Sequence, residues 1–317
     1  MKFTEQQLKT YAEPLSETEV EKCKNAIRMV RDALKESGFL DEANDIQSLV
    51  EGTYMFGTTL KARNSSRKIR LFLQGSFANN TNVKAESDVD IAIILESAFI
   101  PKYRQGILKE SYNHSSSNDS FSSFKDDVER TLRLKFNNDV ERKNKSIKVH
   151  GNTYRVDADT VPALRYRDYS NDYIIQETNY VGGIIIYPDE GGKIINYPEQ
   201  HIENGKAKNI STKHIYKKMV RIIKKMRYNM LDAGYASADK VSSFGLESLL
   251  WNIPDYMYSR YTSYGFIFDD LIKYVQTVEI SGYKEANGIK DLFPTEQTLE
   301  EYKKFIQDLD RYYEYSV

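Results

Sequence analysis

The chain has 317 residues, 40% hydrophobic and 29% charged, with a net charge of −1. That is the balance of a soluble globular protein with room for one large domain or two intimately packed ones. It excludes a globally basic nucleic-acid binder, and no apolar run approaches the ~20 residues that span a bilayer. The lone Cys23 excludes a disulfide framework or a zinc ribbon. The opening MKFTEQQLKTYAEPLSETE is polar and acidic, unlike a signal peptide, so a cytoplasmic location is expected.

Ser16-Glu17-Thr18-Glu19 has the form of a capping box. Val20, Cys23, Ile27, Val30 and Leu34 then recur at three-and-four spacing up to Gly38. This predicts an amphipathic helix of about six turns, with Cys23 as a core thiol. A second helix is expected over 42–54. Strands are expected over 69–73 and 89–95, the latter a continuous apolar run suited to the centre of a sheet. A serine-rich loop at 113–123 precedes helical periodicity over 124–136. Residues 147–149 and 154–161 read as a hairpin turning at Gly151-Asn152, and a further hairpin spans 180–197. From Thr212 the pattern is helical almost to the end. The fold expected is α+β: a mixed-sheet core with flanking helices over 1–205 and a helical lobe over 206–317, with the active site in the cleft between.

The densest chemistry lies at QGSFANNTNVKAESDVDIAIIL. Gly75 lets a backbone approach a phosphate closely, and Ser76 supplies an N–H and a hydroxyl. Side chains alternate along a strand, so Asp88 and Asp90 project to one face while Val89, Ile91 and Ile93 project to the other. Buried carboxylates are costly without a cation. Two of them at this spacing suit a pair of divalent ions about 3.5–4 Å apart, the arrangement used for in-line phosphoryl displacement. A third carboxylate is expected from the strand Tyr154-Arg155-Val156-Asp157-Ala158-Asp159-Thr160-Val161, where Asp157 and Asp159 are both candidates. His114, His150, His201 and His214 lack metal-ligand spacing and read as structural or surface residues. From Lys206 to Arg227 the chain carries nine basic residues and no acid. Met219, Ile222, Ile223 and Met226 form the apolar helix face there, with Lys217, Arg221, Lys224 and Lys225 at its margins.

Gly75-Ser76, Asp88-x-Asp90 and a later single Asp are together similar to the signature of the polymerase-β-like nucleotidyltransferases. The phrases QGSFANNTNVKAESDVDIAI, KSIKVHGNTYRVDADTVPALRYRDY, INYPEQHIENGKAKN and YKKMVRIIKKMR resemble the bacterial cGAS/DncV-like nucleotidyltransferases over about residues 10–260. The resemblance implies a synthase that joins NTPs into a cyclic di- or oligonucleotide second messenger of anti-phage signalling, releasing pyrophosphate at each bond. It implies two Mg²⁺ ions, or Mn²⁺, held by Asp88, Asp90 and Asp159. Asp159 is preferred over Asp157 because the family's third ligand precedes a Val-Pro-like segment, here Thr160-Val161-Pro162. It implies nucleotide contacts from Gln74, Gly75, Ser76, Lys217 and Lys224, the last matching a lysine that reaches the triphosphate. Ser242, Ser243 and Phe244 join them, resembling the Ser-Ser-aromatic segment of the animal cyclic GMP–AMP synthase, in which the second serine touches phosphate and the ring stacks on a base. The implied partners are NTPs and, through the product, a cyclic-nucleotide-responsive effector. Some members await a trigger, in some cases RNA; no membrane partner is implied and a monomer is expected.

Two other classes compete. A nucleotidyltransferase acting on a small molecule, a protein hydroxyl or an RNA end shares Gly-Ser and Asp-x-Asp but not the later phrases. A non-catalytic RNA-binding or scaffold protein would use the basic helix, yet gains nothing from buried acids.

Overall fold

The structure, a computed structural model, describes residues 2–42, 45–83, 88–115 and 121–315. Part of the serine-rich loop, at 116–120, and the last two residues lie outside the described residues. In chain order the elements begin with β1 (Lys2–Phe3), α1 (Glu5–Tyr11), α2 (Glu17–Glu36), β2 (Phe39–Asp41) and β3 (Gln47–Ser48). β4 (Phe56–Ala62), β5 (Lys68–Gln74), α3 (Gly75–Ala78), β6 (Val89–Tyr103) and α4 (Phe121–Phe136) follow. Next come β7 (Val140–Arg142), β8 (Ile147–Val149), β9 (Ala158–Tyr169), β10 (Val181–Ile186) and β11 (Ile194–Asn196). The rest is α5 (Pro198–Ser211), α6 (Tyr216–Asp232), α7 (Ala236–Lys240), α8 (Ser243–Trp251), α9 (Tyr264–Thr277), α10 (Glu296–Tyr312) and β12 (Glu314–Tyr315). These form two compact units: a sheet unit of residues 16–77 and 87–199, and a helical unit of residues 1–15, 78–86 and 200–317.

The sheet unit is built on the strand order β11-β10-β9-β6-β5-β4-β2, with β3 pairing β4 and β7-β8 joining β9. Only β6 and β9 pair in parallel; the other pairs of this sheet are antiparallel. β6 is central, and Ile91, Ala92, Ile93, Ile94 and Leu95 are buried on both faces. α2 forms as its sequence dictates. Ser16 Oγ accepts the Glu19 N–H at 3.3 Å, and the Ser16 N–H donates to the Glu19 carboxylate at 2.7 Å. Its apolar stripe Cys23, Ile27, Val30 and Leu34 is fully buried, and the helix packs on β5, β6 and α4. Burial pushes the Cys23 thiol up to about 12.

Three expectations are corrected. The helix expected over 42–54 is absent: Gly52 adopts φ +73°, which ends helical winding, and Thr53 turns back on Val50 through Oγ1 at 2.7 Å. The short strand β3 lies there instead. The strand carrying Asp159 starts at Ala158, not Tyr154, because Asn152 Oδ1 accepts the N–H groups of Tyr154 and Arg155 and Asp157 accepts that of Gly151. It then continues through Pro162 to Tyr169. On that edge of β9 the pairing with β8 ends at Thr160 and that with β10 begins at Leu164, so Pro162 sits where no ladder partner is needed. Finally, helix begins already at Pro198, and residues 278–295 leave the helical pattern.

The helical unit buries one continuous core in which Phe3 and Leu8 join Met219, Ile222, Ile223, Met226, Leu246, Leu249, Phe268 and Phe305. Within this unit β1 pairs in parallel with β12. Among the described residues no helix is long and apolar enough to cross a membrane.

The capping box carries a direct test. Ser16→Ala should cost about 1 kcal/mol, the usual worth of such a cap, read as a lower urea midpoint with an unchanged slope.

Candidate active site

Strand register assembles the site in the sheet unit. Gln74 of β5 pairs with Asp90 of β6, Asp90 pairs with Asp159 of β9, and Asp159 pairs with Lys148 of β8. Directly paired residues project to the same side of a sheet. Four strands therefore place Gln74, Asp90, Asp159 and Lys148 abreast on one face. Asp90 and Asp159 are both half-buried. Burial, then the charges of Asp159 and Asp88, push the Asp90 carboxyl up to about 7. Burial likewise raises Asp159, against the pull of Lys148. Such a pair has an unmet demand for positive charge.

Gly75 opens the turn after β5 with φ +68°, and a Cβ there would stand 2.4 Å from Asp90 Oδ2. Only glycine satisfies both the conformation and the space. The glycine turn and the carboxylate thus abut, and Ser76 follows half-buried in α3.

Asp88 precedes β6 and is the more exposed ligand candidate; its Oδ2 lies 2.8 Å from the Lys148 ammonium. Lys148 also lies 2.8 Å from Asp157 Oδ2, and Asp157 Oδ1 accepts the Gly151 N–H at 2.6 Å. Burial would raise Asp157, but Lys148 and that N–H outweigh it and hold the carboxyl low. Asp157 is thus engaged in holding its turn, while Asp159 joins the row. Among the described residues no three His, Cys, Asp or Glu groups already stand as a ready-made metal cage. The donor set itself is carboxylate oxygen, which suits Mg²⁺ or Mn²⁺.

The helical unit holds the other expected residues. On α6, Lys217, Arg221 and Lys224 stand at i, i+4 and i+7, and all three are buried. Lys224 Nζ lies 2.6 Å from Glu247 Oε2, 3.0 Å from Thr81 Oγ1 and 3.2 Å from the Thr81 carbonyl. An ammonium has three donors, so the phosphate contact expected of Lys224 has none left in this arrangement. Burial would raise Glu247, but Lys224 and then His201, at 2.9 Å, hold its carboxyl well below the usual range. Arg221 donates to the carbonyls of Ala12 and Asn80 at 2.7 and 2.5 Å. Lys217 is different. It is 7% exposed, and among the described residues its ammonium has no hydrogen-bond or ion-pair partner. Burial pushes it down to about 8, with Arg221 and Lys206 adding to the effect against Glu247.

Ser242 is the N-cap of α8, its Oγ accepting the Gly245 N–H at 2.9 Å, so its hydroxyl has a structural duty. Ser243, half-buried, opens the helix where N–H groups point outward. Phe244 is half-buried and packs edge-on against His201 with centroids 4.9 Å apart. His201 is buried and bonded to Asn79 and Glu247. Sequence reading missed Lys148, whose place depends on strand register, and Glu247. A lone acid within the apolar run SFGLESLLW was the available signal for Glu247.

The comparisons with known proteins agree with this architecture. Residues 203–314 match the cGAS/DncV-like nucleotidyltransferase C-terminal helical domain, and residues 56–153 match a nucleotidyltransferase domain, which ends before Asp159. The cyclic GMP-AMP synthase CdnE03 of Staphylococcus schleiferi is 46% identical over 100% of this chain and 98% of its own. The CdnE c-UMP-AMP synthase of Rhodothermus marinus, solved with Apcpp and Upnpp, superposes with a TM-score of 0.77 at 27% identity, covering 96% of this chain and 95% of that one. The CdnE cyclic dinucleotide synthase of Elizabethkingia meningoseptica, solved with GTP and Apcpp, gives 0.73 at 30% identity over 98% of each chain.

Lys224→Met leaves Glu247 a buried charge without its main partner and should destabilise the protein by about 3–5 kcal/mol. Lys224→Met with Glu247→Leu should recover most of that loss in chemical denaturation, since His201 keeps Asn79 at 2.8 Å.

Proposed function

This chain belongs to the cGAS/DncV-like nucleotidyltransferases, and on that premise we propose that it joins two or more NTPs into a cyclic oligonucleotide by two-metal catalysis. Each bond forms when a ribose hydroxyl oxygen attacks an α-phosphorus, the hydroxyl proton leaves, and the bond to pyrophosphate breaks. Asp88, Asp90 and Asp159 would hold two Mg²⁺ ions, with Mn²⁺ as a substitute. When bound, the ions make the ribose hydroxyl more acidic and neutralise the departing pyrophosphate.

The chain's own residues do the rest. Gly75 admits a phosphate close to the main chain beside Asp90, and Ser76 and Gln74 flank it. Lys217 is the basic group best suited to a triphosphate, because its buried ammonium has no hydrogen-bond or ion-pair partner among the described residues. Ser243 adds a hydroxyl at a helix N-terminus, and Phe244 offers a ring face to a base. The product would act as a second messenger on a cyclic-nucleotide-responsive effector in anti-phage defence of the CBASS type. The observation that carries this reading is the Asp90–Asp159 pair abreast beside the Gly75 turn.

Purified protein incubated with Mg²⁺ and labelled NTPs should yield a small product whose label survives phosphatase. Label in linear or acceptor-linked form would favour the nucleotidyltransferase with another acceptor. Asp90→Ala should lower product formation by at least about 10³-fold while thermal unfolding stays cooperative, as expected when a metal ligand at a reacting phosphate is lost. Undiminished turnover would remove Asp90 from the site.

Lys217 generates a pH prediction. It is charged below about 8 and neutral above, so triphosphate attraction is present at pH 7 and lost as pH rises. kcat/KM, which reports the free enzyme, should therefore fall above pH 8 in the parent. In Lys217→Met it should be lower at pH 7 and lack that limb.

A further inference from the structure

The lysine of the cross-strand row has a role that the three carboxylates alone do not explain. Lys148 does not reach the acidic face by an accident of side-chain choice. Its main chain is paired opposite Asp159 in β8–β9, so wherever β9 presents Asp159, β8 presents an ammonium beside it. That ammonium is shared equally, at 2.8 Å from Asp88 Oδ2 and 2.8 Å from Asp157 Oδ2. The two partners differ in kind. Asp157 lies outside the strand and is fixed by the Gly151 N–H at 2.6 Å, with His150 Nδ1 at 3.7 Å from its other oxygen. Asp88 is held by no such backbone bond among the described residues, and it is a ligand for the divalent ions in the reading above.

We propose that Lys148 is a positioning residue that stands in for a divalent cation at Asp88, and that Asp157 is the berth that retains Lys148 when Asp88 turns to the metal. The proposal rests on the assignment of Asp88, Asp90 and Asp159 as metal ligands. In the metal-free protein, Lys148 tethers the most exposed of the three carboxylates and offsets repulsion within the row. A divalent ion then competes with one ammonium, not with open water, for Asp88. Because Asp157 keeps hold of the ammonium, that competition is settled without expelling a charge from the face. Lys148 thereby sets how tightly the site takes its ions, and Asp157 acts on metal affinity only through Lys148.

The test measures Mn²⁺ affinity of nucleotide-free protein by titration calorimetry, together with metal-free thermal stability. Lys148→Gln should bind Mn²⁺ about tenfold more tightly, the scale of one close charge partner, and should melt lower without metal. Asp157→Asn leaves Lys148 wholly on Asp88 and should bind about tenfold more weakly. The double variant decides between a relay and a mere change in field. If Asp157 acts through Lys148, the pair should match Lys148→Gln alone; simple addition of the two effects would overturn the proposal. Unchanged or weaker Mn²⁺ binding in Lys148→Gln would overturn it as well. Asp90→Asn separates the layers, because Mn²⁺ binding that survives it sinks the metal-ligand reading itself. Lost binding there with an unaffected Lys148→Gln sinks only this inference.

Discussion

Two carboxylates held abreast on a half-buried sheet face are the constraint around which the sheet unit is arranged. The parallel pairing of β6 and β9 gives Asp90 and Asp159 no freedom to separate, and burial raises the proton affinity of both, with the neighbouring carboxylates adding to it at Asp90. Each neighbour answers that charge in its own way. Gly75 withdraws its side chain altogether, Lys148 leans in from β8, and Asp157 is turned aside into its own loop. The result is an acidic face with one ammonium, that of Lys148, set against it.

The helical unit meets the same problem with the opposite sign. α6 buries three cations along one stripe, and two of them are neutralised from within. Lys224 has Glu247, and Arg221 has the carbonyls of Ala12 and Asn80. Lys217 alone of the three has no hydrogen-bond or ion-pair partner for its ammonium among the described residues. Arg221 and Lys224 thereby pin the segment carrying Asn80 and Thr81 to α6 within the helical unit. In this sense Lys224 acts as a strut inside the helical unit.

Much of this was legible in the residues, and the limits have physical causes. α2 announced itself through its cap and stripe, and β6 through its unbroken apolar run, because those signals are local. The helix expected over 42–54 failed because one left-handed glycine and a threonine turn outweighed a loose helical spacing. Asp88 and Asp90 were visible from their alternation, but the residues alone left Asp157 and Asp159 equal; the turn chemistry of Asn152 and Gly151 separates them. Lys148 was invisible because cross-strand register is set by tertiary pairing. Helix spacing alone set Lys224 beside Lys217, Arg221 and Lys225, and only the family resemblance singled it out; its partner Glu247 was missed because their pairing is tertiary.

Cys23 has a practical consequence. As the only cysteine in the chain, it is walled into the α2 packing with a thiol reluctant to ionise, so thiol reagents that need a thiolate meet an unreactive background. A cysteine engineered onto the surface would then carry the sole reporter dye, and the native sequence needs no prior cleaning for fluorescence or spin-label spectroscopy.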